Sequence, residues 1–369
     1  MRDVLALKFV LSRFALSRAT LAVVGFLCAG CVTAPAGQRR FYASRPYGTE
    51  QQFNPLSQIV SEGFDMLRTD DADRHLKNFP YAEAARNVRS SVVHVDQAVR
   101  QYGWSRWVRN ELLPLSTKSG GEQWWPNYTF HLIGSGMVSA RMTEWFEQRG
   151  VSHPVVWSAV TMTASHLLNE MTERPGPLSV DAATDLLLFD PAGFLLFCSD
   201  RVQRWFSGAR MQLTNWPLQA SYALPGETLE NVGQQYMLRF KLPSTTRWRG
   251  FYLFGVCTVL GVARDLGDAR NLSFGLGVDA VDTPVVDVAT DTRTVTLKPN
   301  AGIFFDRDGS LLASLLARNG YETTATLNVY PGAFAHGRLP VGFWVSALRR
   351  GGVRFGVATP LGLGVAHSP

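Results

Sequence analysis

Leu272-Ser-Phe-Gly-Leu-Gly-Val-Asp-Ala280 decides the fold: Leu272, Phe274, Leu276, Val278 and Ala280 alternate without a break with Ser273, Gly275, Gly277 and Asp279. Period-two alternation puts large apolar side chains on one face of a strand and small or polar ones on the other. The same texture extends outward from about Met211 to the end of the chain. Leu238, Phe240 and Leu242 alternate with Met237, Arg239 and Lys241, and further strands are expected over Phe251–Val262, Thr294–Phe305, Leu311–Ala317, Thr323–Tyr330, Val341–Leu348 and Val353–Val365. Pro225-Gly226, Asp308-Gly309, Asn319-Gly320 and Gly351-Gly352 supply turns between them. Eight or nine closely spaced strands predict an antiparallel sandwich or a small barrel. An apolar face of this kind suits lipid, and it equally suits a soluble sheet with one wet face. The end His367-Ser368-Pro369 lacks the terminal aromatic residue that outer-membrane barrels often show.

Before this β half the period changes to helical. Between Trp125 and Gly208, apolar helices carry His131, Glu144, His166, Glu170, Glu173, Asp181, Asp185 and Asp190. A helix is expected over Asn127–Gly150, ending on a glycine. Ser152 is expected to cap the next, with Pro154 just inside it, and Pro175-Gly-Pro stops it. Ser179 caps a third helix with Asp181 in its first turn, and Pro191 should break it. Further upstream, Asn54-Pro55 opens a helix, Tyr81–Tyr102 forms a second and Arg106–Leu115 a third. His94 reads as a structural histidine within the second. Trp104, Trp107, Trp124 and Trp125 crowd a Gly-Gly loop, as in a core or at a membrane interface.

Composition narrows the setting. Apolar residues make up 46% of the 369 and charged ones only 18%, below the usual quarter. Mean hydropathy is −0.02, which argues against a bundle of membrane helices but not against a barrel. Of the formal charge of +6, Arg2, Lys8, Arg13 and Arg18 against Asp3 account for +3 before Cys31, leaving +3 for the rest. No basic run follows, so nucleic acid is not an expected partner. The basic start and the short apolar run Leu21–Leu27 read as an export signal. Leu27-Cys-Ala-Gly-Cys31 resembles a bacterial lipobox, with Cys28 where leucine is usual three places before Cys31. That resemblance implies lipidation of Cys31, and Val32 after it implies the outer membrane. The alternative is an ordinary secretory signal. Residues 31–50, rich in Pro, Gly and Ala, are expected to be a tether. Cys198 and Cys257 are read either as a disulfide or as buried thiols.

His166, Glu170 and Glu173 share one helix face, His131 comes from the helix before, and Asp181 or Asp185 from the one after. Such a group can bind a metal or serve catalysis, the candidates being His131, His166, Glu170 and Asp181. It can also be an internal ion network, with Arg141 or Arg174 as cation. Gly134-Ser-Gly136 lacks the form of a nucleophile elbow and reads as a close-packing helix face. Gly275-Leu-Gly277 and Gly362-Leu-Gly364 are strand glycines, not phosphate loops, so no cofactor is expected.

Asn127, His131, Gly134, Gly136, Glu170, Glu173, Pro177, Ser179 and Gly193 together resemble a bacterial family catalogued as domain of unknown function 3943. The resemblance covers about 80 residues, and it departs from the pattern at Ala182, where the acidic residue would fall between Asp181 and Asp185. It implies a cell-envelope address and no activity.

The expected molecule is α+β: a signal over 1–30, a tether over 31–50, a helical domain over 51–208 and an antiparallel β domain over 209–369, a small outer-membrane-type barrel. Its expected role is structural, in assembly, or in interaction with envelope proteins. It would meet membrane lipid through Cys31 and the β domain. A hydrolase or metal-dependent enzyme acting on lipid or cell-wall material, and a pore plugged by helices, are the alternatives.

Overall fold

The computed structural model describes residues 39–68, 75–113 and 125–368, except 225, 244, 246, 256, 288–291, 320–321 and 334–340. The signal segment and Cys31 therefore lie outside the described residues, as does the Gly-Gly loop.

The α+β division holds: helices come first and one sheet of thirteen strands follows. The helices are α1 (Gly48–Gln51), α2 (Pro55–Gly63), α3 (Tyr81–Val93), α4 (Val95–Tyr102), α5 (Trp104–Trp107), α6 (Gly136–Gln148), α7 (Pro154–Thr172), α8 (Val180–Thr184), α9 (Asp190–Phe197) and α10 (Asp200–Phe206). A π-helical run over Trp125–Ser135 leads into α6, and a π-helical turn over Asp185–Phe189 joins α8 to α9.

Asn54 caps α2 as expected, accepting from the Ser57 amide while Ser57 Oγ reaches back to the Asn54 amide. The long helix expected over Tyr81–Tyr102 is broken at His94, which is exposed rather than a satisfied core residue. His153, not Ser152, precedes α7, at φ 57° and with no side-chain cap. Pro191 lies in the first turn of α9, where a missing N–H costs little, and the helical path runs through it. The sharp bend, 86°, comes only at Ser199, between α9 and α10.

The strands are β1 (Met211–Asn215), β2 (Ser221–Ala223), β3 (Thr228–Glu230), β4 (Gln235–Lys241), β5 (Trp248–Gly255), β6 (Cys257–Gly267), β7 (Arg270–Asp287), β8 (Thr292–Arg307), β9 (Ser310–Arg318), β10 (Thr323–Val329), β11 (Gly342–Leu348), β12 (Val353–Ala358) and β13 (Gly364–His367). Their spatial order is β1-β4-β5-β6-β7-β8-β9-β10-β11-β12-β13-β2-β3, antiparallel throughout except for β13 beside β2. Phe251–Val262, expected to be one strand, is a hairpin. The chain reverses after Gly255, at φ 144°, where a Cβ would lie 2.3 Å from the Gln234 carbonyl oxygen. Val353–Val365 likewise splits into β12 and β13. The three short strands β1 to β3 were not expected at all.

Flat, β1 and β2 would lie about 50 Å apart, at about 4.8 Å per strand. Asn215 and Ser221 are six residues apart, a reach of at most about 20 Å, so the sheet must bend back on itself. The ladder itself is open, with β1 and β3 at its edges. The link from Trp216 to Ala220 fastens to distant strands: the Trp216 indole donates to the Gly309 carbonyl, the Tyr330 hydroxyl to Pro217, and Gln219 Nε2 to Val329 and Phe343.

The two faces of the sheet are chemically opposite. One lateral row runs Met211, Phe240, Gly250, Val262, Phe274, Ile303, Leu315, Leu327, Val345, Phe355, His367, each opposite the next. From Phe274 to Phe355 every member is apolar and 38–49% exposed. The neighbouring row begins Leu213, Leu238, Tyr252, Leu260, Leu276. Helices cover its first three members, while Leu260 and Leu276 are 61% and 73% exposed.

The opposite face is buried and largely polar. Arg239 pairs with Asp306, and Arg318 and Asn300 meet Asp279 at 2.9 and 2.8 Å. Arg354 meets Glu322 at 2.7 Å, and Asn231 bonds Asn328. Trp216, Phe251, Leu253, Phe304 and Tyr330 fill the space beside them. Cys257 is a buried thiol that accepts from Gln235 Nε2 at 3.0 Å, so the Cys198–Cys257 disulfide does not form.

The helical domain seats on the outward face of β1, β4 and β5, where Phe130 packs edge-on to Tyr236, itself stacked on Phe254. Arg141, one of the cations expected for the central polar group, instead bridges Glu50 (2.7 Å) and Asn215. Arg174, the other, lies over the Phe79 ring. Glu144 is also elsewhere, accepting from the backbone amides of Arg40, Phe41 and Tyr42. The last part of the span expected as a tether thus packs against α6. Burial pushes the Glu144 carboxyl up, and those three amides only partly counter it.

Candidate functional site

Small residues bring four helical segments close enough for polar side chains to meet. A Cβ on Gly136 would lie 2.6 Å from the Gly193 carbonyl oxygen, and one on Gly193 2.7 Å from that of His131. The Gly134-Ser-Gly136 face therefore packs as expected, on α9 and on Tyr236. Similarly, Gly63 lets α2 approach Leu168 of α7, where Asn169 Nδ2 and Thr172 Oγ1 donate to the carbonyls of Glu62 and Gly63.

The result is a continuous polar path through a buried interior. Gln234 donates to Gln58 (2.9 Å), and Gln58 to Glu62 (2.6 Å). Glu62 Oε1 also accepts from Ser135 Oγ at 2.6 Å and lies 3.3 Å from His166 Nε2. His166 Nδ1 is 2.9 Å from Asp190 Oδ2, and the other Asp190 oxygen is 2.8 Å from His131 Nδ1. His131 Nε2 then faces Asp185 Oδ2 at 3.6 Å. One ligand atom each from His131, Glu170 and Asp185 falls within 4.8 Å of the others. All of these residues are buried; Asp181 and Glu173 are half-buried nearby.

Of the residues expected from sequence, His131, His166 and Glu170 do converge. Asp181 stays in the first turn of α8, and Asp185 occupies the place beside His131 and Glu170. Glu62 and Ser135 were not foreseen as members. Gln58 and Glu62, four apart on a helix of small residues, were the available signal for the former.

Burial opposes charge throughout, and the partners decide the outcome. Burial pushes His131 down, but the Asp190 charge and hydrogen bond outweigh it and its pKa rises. For His166 the Asp190 and Glu62 carboxylates overcome burial and carry it up to about 10. Burial would raise Asp190, yet His166 and His131 hold it well below the usual carboxylate range. Asp185 goes the other way: burial, then Asp181 and Glu170, push it well up. The two aspartates are thus driven apart, Asp190 down between two histidines and Asp185 up among further carboxylates.

A cavity of about 30 Å³ adjoins the path, lined by Ser135, Ser139, Met162, His166, Asp190 and Phe194. It suits ordered water and is far too small for a lipid or glycan. No family model, curated protein or solved structure matches this chain.

Proposed function

We propose that this chain is an outer-membrane-type β-barrel protein of a bacterial envelope, additionally anchored by lipid at Cys31. Its helical domain docks on the barrel wall, and its role is structural, in assembly, or in interaction with envelope partners. The observation that carries this reading is the inverted sheet: apolar side chains at 38–49% exposure along one lateral row, with ion pairs and amides buried behind it. A water-soluble sheet would expose the polar face; a lipid-facing one turns the apolar face outward. The chain link from Asn215 to Ser221 supports closure, since it draws the two ends of the sheet together. The resemblance to domain of unknown function 3943 adds an envelope address. The cavity beside this polar path has room for water but not for a lipid or glycan, which favours this role over an enzyme acting on lipid or cell wall.

A Cys31→Ala variant, exported by an ordinary signal, tests it. Resistance to alkaline carbonate and a heat-dependent shift in gel mobility are expected. Release into the soluble periplasm would reduce the membrane attachment to lipid alone.

A further inference from the structure

We infer that His131, Glu170 and Asp185 form a binding site for one divalent transition-metal ion, with Zn²⁺ or Mn²⁺ as the chemistry that fits. Their three donor atoms lie within 4.8 Å of one another, on the π-helical run before α6, on α7 and at the start of the π-helical turn. One imidazole and two carboxylates suit borderline divalent ions and neutralise a dication.

Two independent observations point to a ligand rather than a mere cluster of acids. First, His131 is oriented as metal-binding histidines are: Nδ1 is engaged by Asp190 at 2.8 Å, which turns Nε2 toward Asp185 and Glu170. Asp190 is itself held by His166, and His166 by Glu62, so two further layers fix the ring. Second, Asp185 is 4% exposed, yet its Oδ1 has no hydrogen-bond partner. A buried carboxylate oxygen left without a donor is costly, and a cation among these three side chains would satisfy it. The ion pairs inside the sheet differ: there an arginine stands against each acid. Among the described residues, no lysine or arginine pairs with Asp185 or Asp190, whose ion-pair partners are His131 and His166. The site belongs to the helical domain and does not depend on the sheet spanning a membrane.

The test uses the full chain in detergent, stripped with a chelator and titrated calorimetrically with Zn²⁺ and with Mn²⁺. Binding of one ion per chain is expected, with a matching upward shift in melting temperature. Glu170→Gln and Asp185→Asn should each abolish the tight site while leaving the metal-free fold intact by circular dichroism. Asp190→Asn, which meets His131 on the side away from the ion and also contacts His166, should weaken affinity roughly 10- to 100-fold. Failure of the folded wild-type chain to bind either ion at one equivalent overturns the inference. So does binding that Glu170→Gln and Asp185→Asn leave unchanged, since the ion would then sit elsewhere.

Discussion

The molecule has two buried polar interiors, and they are built on opposite principles. Inside the sheet, Arg239 meets Asp306, Arg318 meets Asp279 and Arg354 lies 3.7 Å from Glu230, so these buried acids stand against rigid, permanently charged guanidinium groups. Inside the helices, Glu62, Asp185 and Asp190 meet His131 and His166 instead. Balance there depends on titratable groups, with Asp190 driven down and Asp185 driven up. Matched arginine pairs fix strand positions and respond to little else. A carboxylate-rich group with titratable partners can exchange a proton or a cation.

The largest contrast should appear on deleting one acid from each interior. Asp306→Ala strands Arg239 at 2% exposure and also removes the acceptor used by Asn271 and the Gly309 amide. A loss of about 3–5 kcal/mol is expected in urea unfolding. Next comes Leu276→Arg on the outward face, 73% exposed in the protein alone. If lipid covers that face, it should cost about 2–4 kcal/mol in bilayers and little in a water-soluble form. Asp185→Asn should matter less than Asp306→Ala without metal, about 1 kcal/mol or less, because burial and neighbouring carboxylates push that carboxyl toward the neutral form that an amide mimics. A large loss would make that carboxyl a structural anion and erase the contrast between the interiors.

Near neutral pH the smallest effect belongs to His166. Its folded value is raised from 6.5 to about 10, so its contribution is complete below about 6.5 and is lost as pH rises through about 10. Hydrogen exchange in α7 and α9 should therefore accelerate over that range, and His166→Gln should flatten the dependence. Unchanged protection in the wild type across the range would mean that the imidazole is neutral throughout.

What could be read from sequence follows from how local each signal is. The alternation at Leu272–Ala280 needs only neighbouring residues, and it placed β7 and its two faces correctly. The reversal after Gly255 could not be read, because Gly255-Val-Cys257 carries no polar turn residue; the sharp turn depends on one positive φ. β1, β2 and β3, three to five residues each, exist through pairing with distant strands. In the site, helical spacing brought His166 and Glu170 together with His131. It could not choose between Asp181 and Asp185, since the two are four apart on one helix face and spacing alone does not say which turn lies level with His131. Glu62 lies far away in the sequence and joins only because Gly63 admits Leu168.

Which face of the sheet meets lipid is most directly measured with single spin labels at Leu276, Ile303 and Ser314 in the protein reconstituted into vesicles. Labels at Leu276 and Ile303 should relax with membrane-dissolved oxygen and be shielded from a water-soluble nickel chelate, while the label at Ser314 should be shielded from oxygen. Strong nickel accessibility at Leu276 and Ile303 would place the apolar face in water and contradict the membrane assignment.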